Sequence, residues 1–342
     1  MDTFWQGKAV VVTGATGFVG GWTAKRLLAE GAEVTALVRD RVSRSMLIQE
    51  NLLEKITVVA GDVESFPLLC RLIAEYEPHT VFHFAAQSLV GTAQKCPLNT
   101  FHTNIMGTWN LLEACRCQAK TSLVLASSDK AYGPSKSLPY RESYPLQGTH
   151  PYDVSKTCAD LIAQVYARDY GVRLAIVRCA NIFGGGDTNL SRLIPGVICD
   201  ALRGKKLTLR SDGAAIRDLL YVKDAADAYL RVGQLLAERD LLVGEAFNFS
   251  YEVHLTVREI VNLVLEIMGR SDLEPESRGT CHGEIAEQYL DASKAREYLG
   301  WAPRYSLREA LEETIEWYSR WLNKDAEKPI KDAGFDTARA CV

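Results

Sequence analysis

Apolar residues in the first half of the chain fall into short unbroken runs separated by longer stretches of helical period. The runs Ala9 to Thr13, Glu33 to Val38, Ile56 to Val59, Thr80 to Ala85, Ser122 to Ala126 and Arg173 to Arg178 are rich in β-branched residues and too short for helices, so they predict strands. Between them Trp22 to Glu30, Leu68 to Tyr76, Asn104 to Cys117 and Tyr152 to Tyr170 carry apolar residues at helical spacing. Strand and helix in alternation imply a parallel sheet covered on both faces, whose strands need no polar side. The expected fold class is α/β, a doubly wound parallel sheet of Rossmann type over residues 1–181.

After Ile182 the pattern changes. Gly184-Gly185-Gly186 interrupts the chain, and the segments that follow are more polar and less regular. A second, smaller C-terminal lobe is expected over 182–322, with a return to the first domain at about 215–250 through a strand at Leu219 to Val222 and a helix from Asp224 to Leu236. Asn323 to Val342 is polar without a period and is expected to fray.

Composition narrows the function classes. With 47% hydrophobic and 24% charged residues, the 342-residue chain is not disordered in bulk. Its 39 basic and 43 acidic residues leave a net charge of -4 with no basic block, so no nucleic-acid partner and no anionic membrane surface is expected. The first apolar run is shorter than a signal-peptide core, and none approaches the roughly 18 apolar residues of a spanning helix. Nine cysteines, an odd number with no Cys-x-x-Cys pair, fit neither a disulfide framework nor a zinc ribbon. No metal is expected, and a reducing cytoplasm suits the thiols.

The turn Gly14-Ala15-Thr16-Gly17-Phe18-Val19-Gly20 stands between the first strand and the first helix. One glycine permits the tight turn, a second lets the backbone approach a pyrophosphate and a third lets helix pack on strand, while the helix N-terminus offers N–H groups to the phosphates. Dinucleotide binding is the expectation. Its Gly-x-x-Gly-x-x-Gly spacing resembles the extended short-chain dehydrogenase/reductase superfamily. The second strand ends in Arg39 and Asp40; an acid there holds the ribose hydroxyls of NAD and an Arg takes the 2′-phosphate of NADP, so the cofactor is left as NAD or NADP. The resemblance implies that Asp62 hydrogen-bonds the adenine and that Val63, Ala85 and Ala86 also line the cofactor.

Tyr152 and Lys156 stand four residues apart on a predicted helix, hence on one face. The ammonium favours phenolate, and a lowered phenol can act as a base. A second pair at this spacing, Tyr132 and Lys136, lies in a Gly-Pro-Ser turn and is set aside. By the superfamily resemblance Ser128 is the third catalytic hydroxyl, Lys156 also holds the nicotinamide ribose, and Asn104 supports the site through backbone or water contacts.

Ser127-Ser128-Asp129-Lys130-Ala131-Tyr132-Gly133 is similar to the nucleotide-sugar epimerase/dehydratase family, and its Asp-Lys pair resembles the CDP-glucose 4,6-dehydratase branch. Further likeness lies at Phe4-Trp5-Gln6-Gly7-Lys8, at His83-Phe84-Ala85-Ala86-Gln87, at Gly184-Gly185-Gly186-Asp187 with Arg192-Leu193-Ile194-Pro195, and at Leu290-Asp291-Ala292-Ser293-Lys294-Ala295. The resemblance implies a nucleotide-sugar 4,6-dehydratase with Ser128, Asp129, Lys130, Tyr152 and Lys156 as catalytic residues. Asp129 is the acid of the elimination. Lys130 stands where most relatives carry Glu, and acts as base directly, through water, or by orienting Asp129. Gln87, Ser88, Asn181, Arg192 and Arg217 are implied substrate contacts. A 4-epimerase is the alternative, because Arg217-Asp218-Leu219-Leu220-Tyr221 is closer to epimerases. The helices at about 98–118 and 151–170 resemble those that pair in family homodimers. His83 is expected to pack beside the cofactor strand, and Cys158 and Cys179 to be core residues.

Overall fold

The structure, a computed structural model, describes residues 4–118, 121–209, 211–277, 279 and 285–326. Strands β1 (Ala9–Thr13), β2 (Glu33–Val38), β3 (Thr57–Ala60), β4 (Thr80–His83), β5 (Ser122–Ala126) and β6 (Leu174–Cys179) lie within a residue or two of the apolar runs. Two short strands follow, β7 (Asn181–Phe183) and β8 (Leu219–Tyr221), and then β9 (Ala246–Phe249). The main sheet has seven strands, all parallel, in the order β9-β6-β5-β4-β1-β2-β3.

Side chains alternate between two cores, as a pleated strand requires. Val10 and Val12 of β1 join one core, with Ala24 and Leu27 from α1 (Phe18–Ala29). Val11 joins the other, with Leu69, Leu72 and Ile73 from α2 (Phe66–Tyr76). That second face is completed by α3 (Gly107–Arg116) and α4 (Pro151–Tyr170). Beyond β7, α5 (Leu193–Leu202) belongs to a third core, while α6 (Val222–Glu238) returns to the α1 face. The third core is the lobe's own, built with α7 (Val257–Ile267) and the final helix; α8 (Ser293–Leu299) packs on the α1 face and α9 (Leu307–Ala326) closes the lobe.

Four elements depart from the sequence expectations. The first helix starts at Phe18 rather than Trp22, because Gly17, Gly20 and Gly21 thin out the apolar period of a turn that is helical all the same. Pro97–Phe101 and a π turn at His102–Met106 run directly into α3, so the helix expected from Asn104 begins earlier. Leu219–Tyr221 does not return to the main sheet: it pairs with β7, and β9 fills the place beside β6. The final helix runs to Ala326, which corrects the expectation of a frayed segment from Asn323, and the rest of that expected tail lies outside the described residues. No helix among the described residues is long and apolar enough to cross a membrane.

Asp218 anchors the lobe where β8 begins. Its carboxylate accepts backbone N–H bonds from Leu219 (2.9 Å), Val253 (3.1 Å) and Leu290 (3.1 Å), and burial pushes its pKa up to about 7. Between pH 4 and 7 the folded chain therefore keeps a proton that the unfolded chain has lost. Stability from this group falls as pH rises through that window, by up to ~1.4 kcal/mol per pH unit. Chemical unfolding of wild type and Asp218→Asn across that range checks it: the variant should show a flatter pH dependence, and parallel curves would refute it.

Candidate active site

Strand order reverses between β1's two neighbours, β2 and β4, and a doubly wound sheet opens a crevice beyond its carboxyl ends at such a point. One cleft of about 990 Å³ lies there and extends into the lobe. It is lined by every anticipated site residue except Gln87, and by the uncounted Tyr229, Asp200 and Leu207. Gln87 turns away: its Oε1 accepts from Leu89 N (3.0 Å), closing a local turn.

The glycines act by absence of a side chain. Gly14 has φ +69, and a Cβ there would stand 2.6 Å from the Ala85 nitrogen; one on Gly20 would stand 2.3 Å from the Gly14 oxygen. Gly17 caps α1 without a side-chain bond, which leaves the first-turn N–H groups facing the cleft. The cradle fits a pyrophosphate. At its rim Arg39 Nε donates to Asp40 (2.7 Å) and Nη1 lies 3.8 Å from Asp62. With its guanidinium spent on carboxylates and an acid at the end of β2, the rim suits ribose hydroxyls better than a 2′-phosphate. Gly20→Ala should weaken NAD binding at least about tenfold while the chain stays folded, since the added methyl has to displace backbone. Calorimetric titration with NAD checks it.

Ser128, Tyr152 and Lys156 converge at the ends of β5 and α4, all largely buried. Pro151 opens α4 at its first turn, a place where its missing N–H costs nothing. Lys156 Nζ donates to the Ala126 carbonyl (2.8 Å), and burial brings its pKa down to about 8. Burial drives Tyr152 up to about 12, against Arg192 and a Ser128 hydrogen bond, which pull it down. The direction is opposite to the sequence expectation of a lowered phenol: desolvation is the largest influence on Tyr152 and raises it. Asn104, in the π turn, accepts from Gln87 N (2.7 Å) and donates to Ser155 Oγ (2.8 Å), which donates to the Tyr152 carbonyl (2.7 Å). His83, neutral with a pKa brought down to about 3 by burial, sits between Thr13 (2.7 Å) and Thr108 (3.0 Å) hydroxyls.

Asp129 is almost fully buried. Ser128 Oγ donates to its Oδ1 (3.0 Å), its Oδ2 has no partner among the described residues, and burial raises its pKa despite Lys130. Burial shifts this carboxyl toward holding its proton, the direction a general acid needs. Lys130 Nζ donates to Gln288 Oε1 (3.1 Å), a contact across 158 positions that no local motif signals. Arg192 spans the cleft mouth from Asp187 (2.9 Å) to Ser88 (3.5 Å). Arg217 is held by the Ile216 and Ile285 carbonyls, and the Asn181 amide donates to the Asp218 carbonyl (3.1 Å). Of the paired look-alikes, Tyr132 is buried against Tyr140 and Lys136 is exposed, so they form no site. Cys158 is half-buried, and Cys179, expected in the core, is buried but also reaches the cleft wall.

A buried network ties these parts together. Arg178 forks onto Asp160 (2.9 and 2.8 Å), which also accepts from Ser127 Oγ (2.6 Å), and Arg178 donates to Tyr132 OH (2.8 Å). Tyr132 OH in turn donates to Asn248 Oδ1 (2.8 Å) on β9.

A parallel doubly wound sheet with a glycine cradle and a Ser/Tyr/Lys cluster defines a nicotinamide-dependent short-chain dehydrogenase/reductase of the extended kind. The family model described as GDP-mannose 4,6 dehydratase matches residues 11–314, and the chain belongs to that family. It is 35% identical over 334 residues to the CDP-glucose 4,6-dehydratase of Salmonella typhimurium, covering 93% of this chain and 92% of that one. The dTDP-glucose 4,6-dehydratase of Streptomyces venezuelae, solved with NAD bound, matches with a TM-score of 0.82 and 28% identity over 91% of this chain and 97% of that one. The UDP-glucose 4-epimerase of Thermotoga maritima, solved with UDP-glucose, matches with a TM-score of 0.83 and 28% identity over 92% and 99%.

Proposed function

We propose that the chain is a nucleotide-sugar 4,6-dehydratase, which converts an NDP-hexose to the NDP-4-keto-6-deoxyhexose without net consumption of cofactor. The observation that carries it is Asp129, a buried carboxyl on the cleft wall that accepts from Ser128 and whose pKa burial raises, a group for which a 4-epimerase has no use. Gly14, Gly17, Gly20, Asp40 and Lys156 would hold the dinucleotide, and NAD, when bound, supplies a hydride acceptor first and a donor last.

Tyr152 takes the proton of the sugar 4-hydroxyl as the carbon-4 C–H bond is broken, with Ser128 sharing that hydroxyl. The 4-ketone so formed acidifies the carbon-5 proton. Loss of that proton to the neutral Lys130 amine, directly or through water, makes the C5–C6 double bond, the C6–O bond breaks, and Asp129 gives the departing hydroxyl the proton that makes it water. Hydride addition at carbon 6 and a proton at carbon 5 complete the balance. Arg192 and Arg217 flank the lobe arm of the cleft, where guanidinium groups suit a diphosphate. Incubation with CDP-glucose, GDP-mannose, dTDP-glucose and UDP-glucose, read by mass spectrometry, tests it. A product lighter by one water with constant NAD is expected; an isomer of unchanged mass would replace this assignment with epimerase.

We further propose a homodimer, working in a reducing cytoplasm that suits the seven free thiols among the described residues. Leu98 and Trp109 on the run into α3, and Leu161 and Val165 on α4, expose large apolar surface on packed helices. Such a patch marks an interface. Trp109→Glu should sediment as a monomer where wild type sediments as a dimer.

A further inference from the structure

Resting on the dehydratase assignment, we infer that Gln288 is a positioning residue of the elimination step, whose amide oxygen holds the Lys130 ammonium away from Asp129. The anchor is rigid. Gln288 is fully buried and lies in the short strand Glu287–Gln288, where it pairs with Arg217, and its carbonyl accepts from Asp218 N (3.1 Å). Two residues on, Leu290 N donates to the Asp218 carboxylate (3.1 Å), so the backbone is fixed on both sides. Its Oε1 is then the hydrogen-bond acceptor for Lys130 Nζ at 3.1 Å.

Lys130 faces two acids, Asp129 and Asp153. An ammonium on a flexible stem moves to the strongest acceptor within reach. Seated on Asp129 it would stabilise that carboxylate and take from the site the proton that the leaving hydroxyl needs. The amide, uncharged and able to accept, keeps Lys130 near carbon 5 without discharging the acid, and the amine, once it has given a proton to solvent, takes the carbon-5 proton directly or through water. The oxidation step, run by Ser128, Tyr152 and Lys156, does not use this contact.

The test is Gln288→Met, which keeps the bulk and removes the acceptor, in the full-length enzyme on the substrate that loses water. Water loss should slow by about 10- to 100-fold with little change in KM, the scale of a displaced catalytic group. Reduced nicotinamide should accumulate in a single turnover, and the alkaline limb of the kcat profile should move down by about one pH unit. Gln288→Glu, which restores an acceptor, should recover most of the rate. Lys130→Met should stall at the same stage, and the double variant should be no slower than Lys130→Met alone. Unchanged water loss in Gln288→Met or in Lys130→Met overturns the inference, as does an equal loss of the oxidation step. If Gln288→Met does not fold, Lys130→Met decides alone by these criteria. A wild-type enzyme that only isomerises its substrate refutes the dehydratase assignment itself and this inference with it, a result read before any variant is made.

Discussion

Tyr152→Phe should lower kcat by about 10²- to 10⁴-fold, the usual share of a positioned proton-transfer group, with NAD still bound and KM changed by no more than a few fold. The phenol is the group that meets Ser128 at the cleft, and the substitution removes only an oxygen from a buried side chain on the cleft wall. Burial pushes its pKa up to about 12 even with the Arg192 guanidinium acting to lower it, so the phenol needs further activation before it can take a proton. Lys156 donates to the Ala126 carbonyl, and burial brings its pKa down to about 8. The prediction is checked by steady-state kinetics with bound NAD quantified in parallel. A variant within about tenfold of wild type would move the base elsewhere.

Asp129→Asn should separate the two halves of the reaction. Asn keeps the shape and can still accept from Ser128, yet it has no proton to give. Oxidation at carbon 4 should continue, water loss should fall by about 10²- to 10⁴-fold, and the nicotinamide should remain reduced. Stopped-flow absorbance on one turnover reads the first step, and mass spectrometry reads the second. An enzyme indifferent to the change would be using Asp129 as a structural acid, and the epimerase alternative would gain by it.

The residues that sequence reasoning reached most directly are those whose roles are local. Val10 to Val12 read as a buried strand because both faces of β1 are covered, and Gly14, Gly17 and Gly20 follow it within one turn. Tyr152 and Lys156 are four positions apart on one helix, so their shared face needed no tertiary knowledge. What spacing could not give was environment. How far desolvation lifts the phenol depends on how deeply the Tyr152 side chain is buried, and the direction went against the expectation. Gln288 reaches Lys130 only because Glu287–Gln288 pairs with Ile216–Arg217, a register between segments with no apolar period. Gln87 misled in the opposite sense: it lies in a familiar motif, but its side chain closes a turn.

The last strand of the main sheet has a consequence for the order of biosynthesis. When a ribosome has released residues up to 181, Ser128, Tyr152 and Lys156 are all present, but β6 has no outer neighbour and Tyr132 lacks the Asn248 amide that receives its hydroxyl. An unpaired, flat edge invites another chain to fill it. A chain ending before residue 246 therefore carries every catalytic residue but leaves the β6 edge open, the kind of edge that invites aggregation. The sheet is completed only when residues 246–249 have emerged.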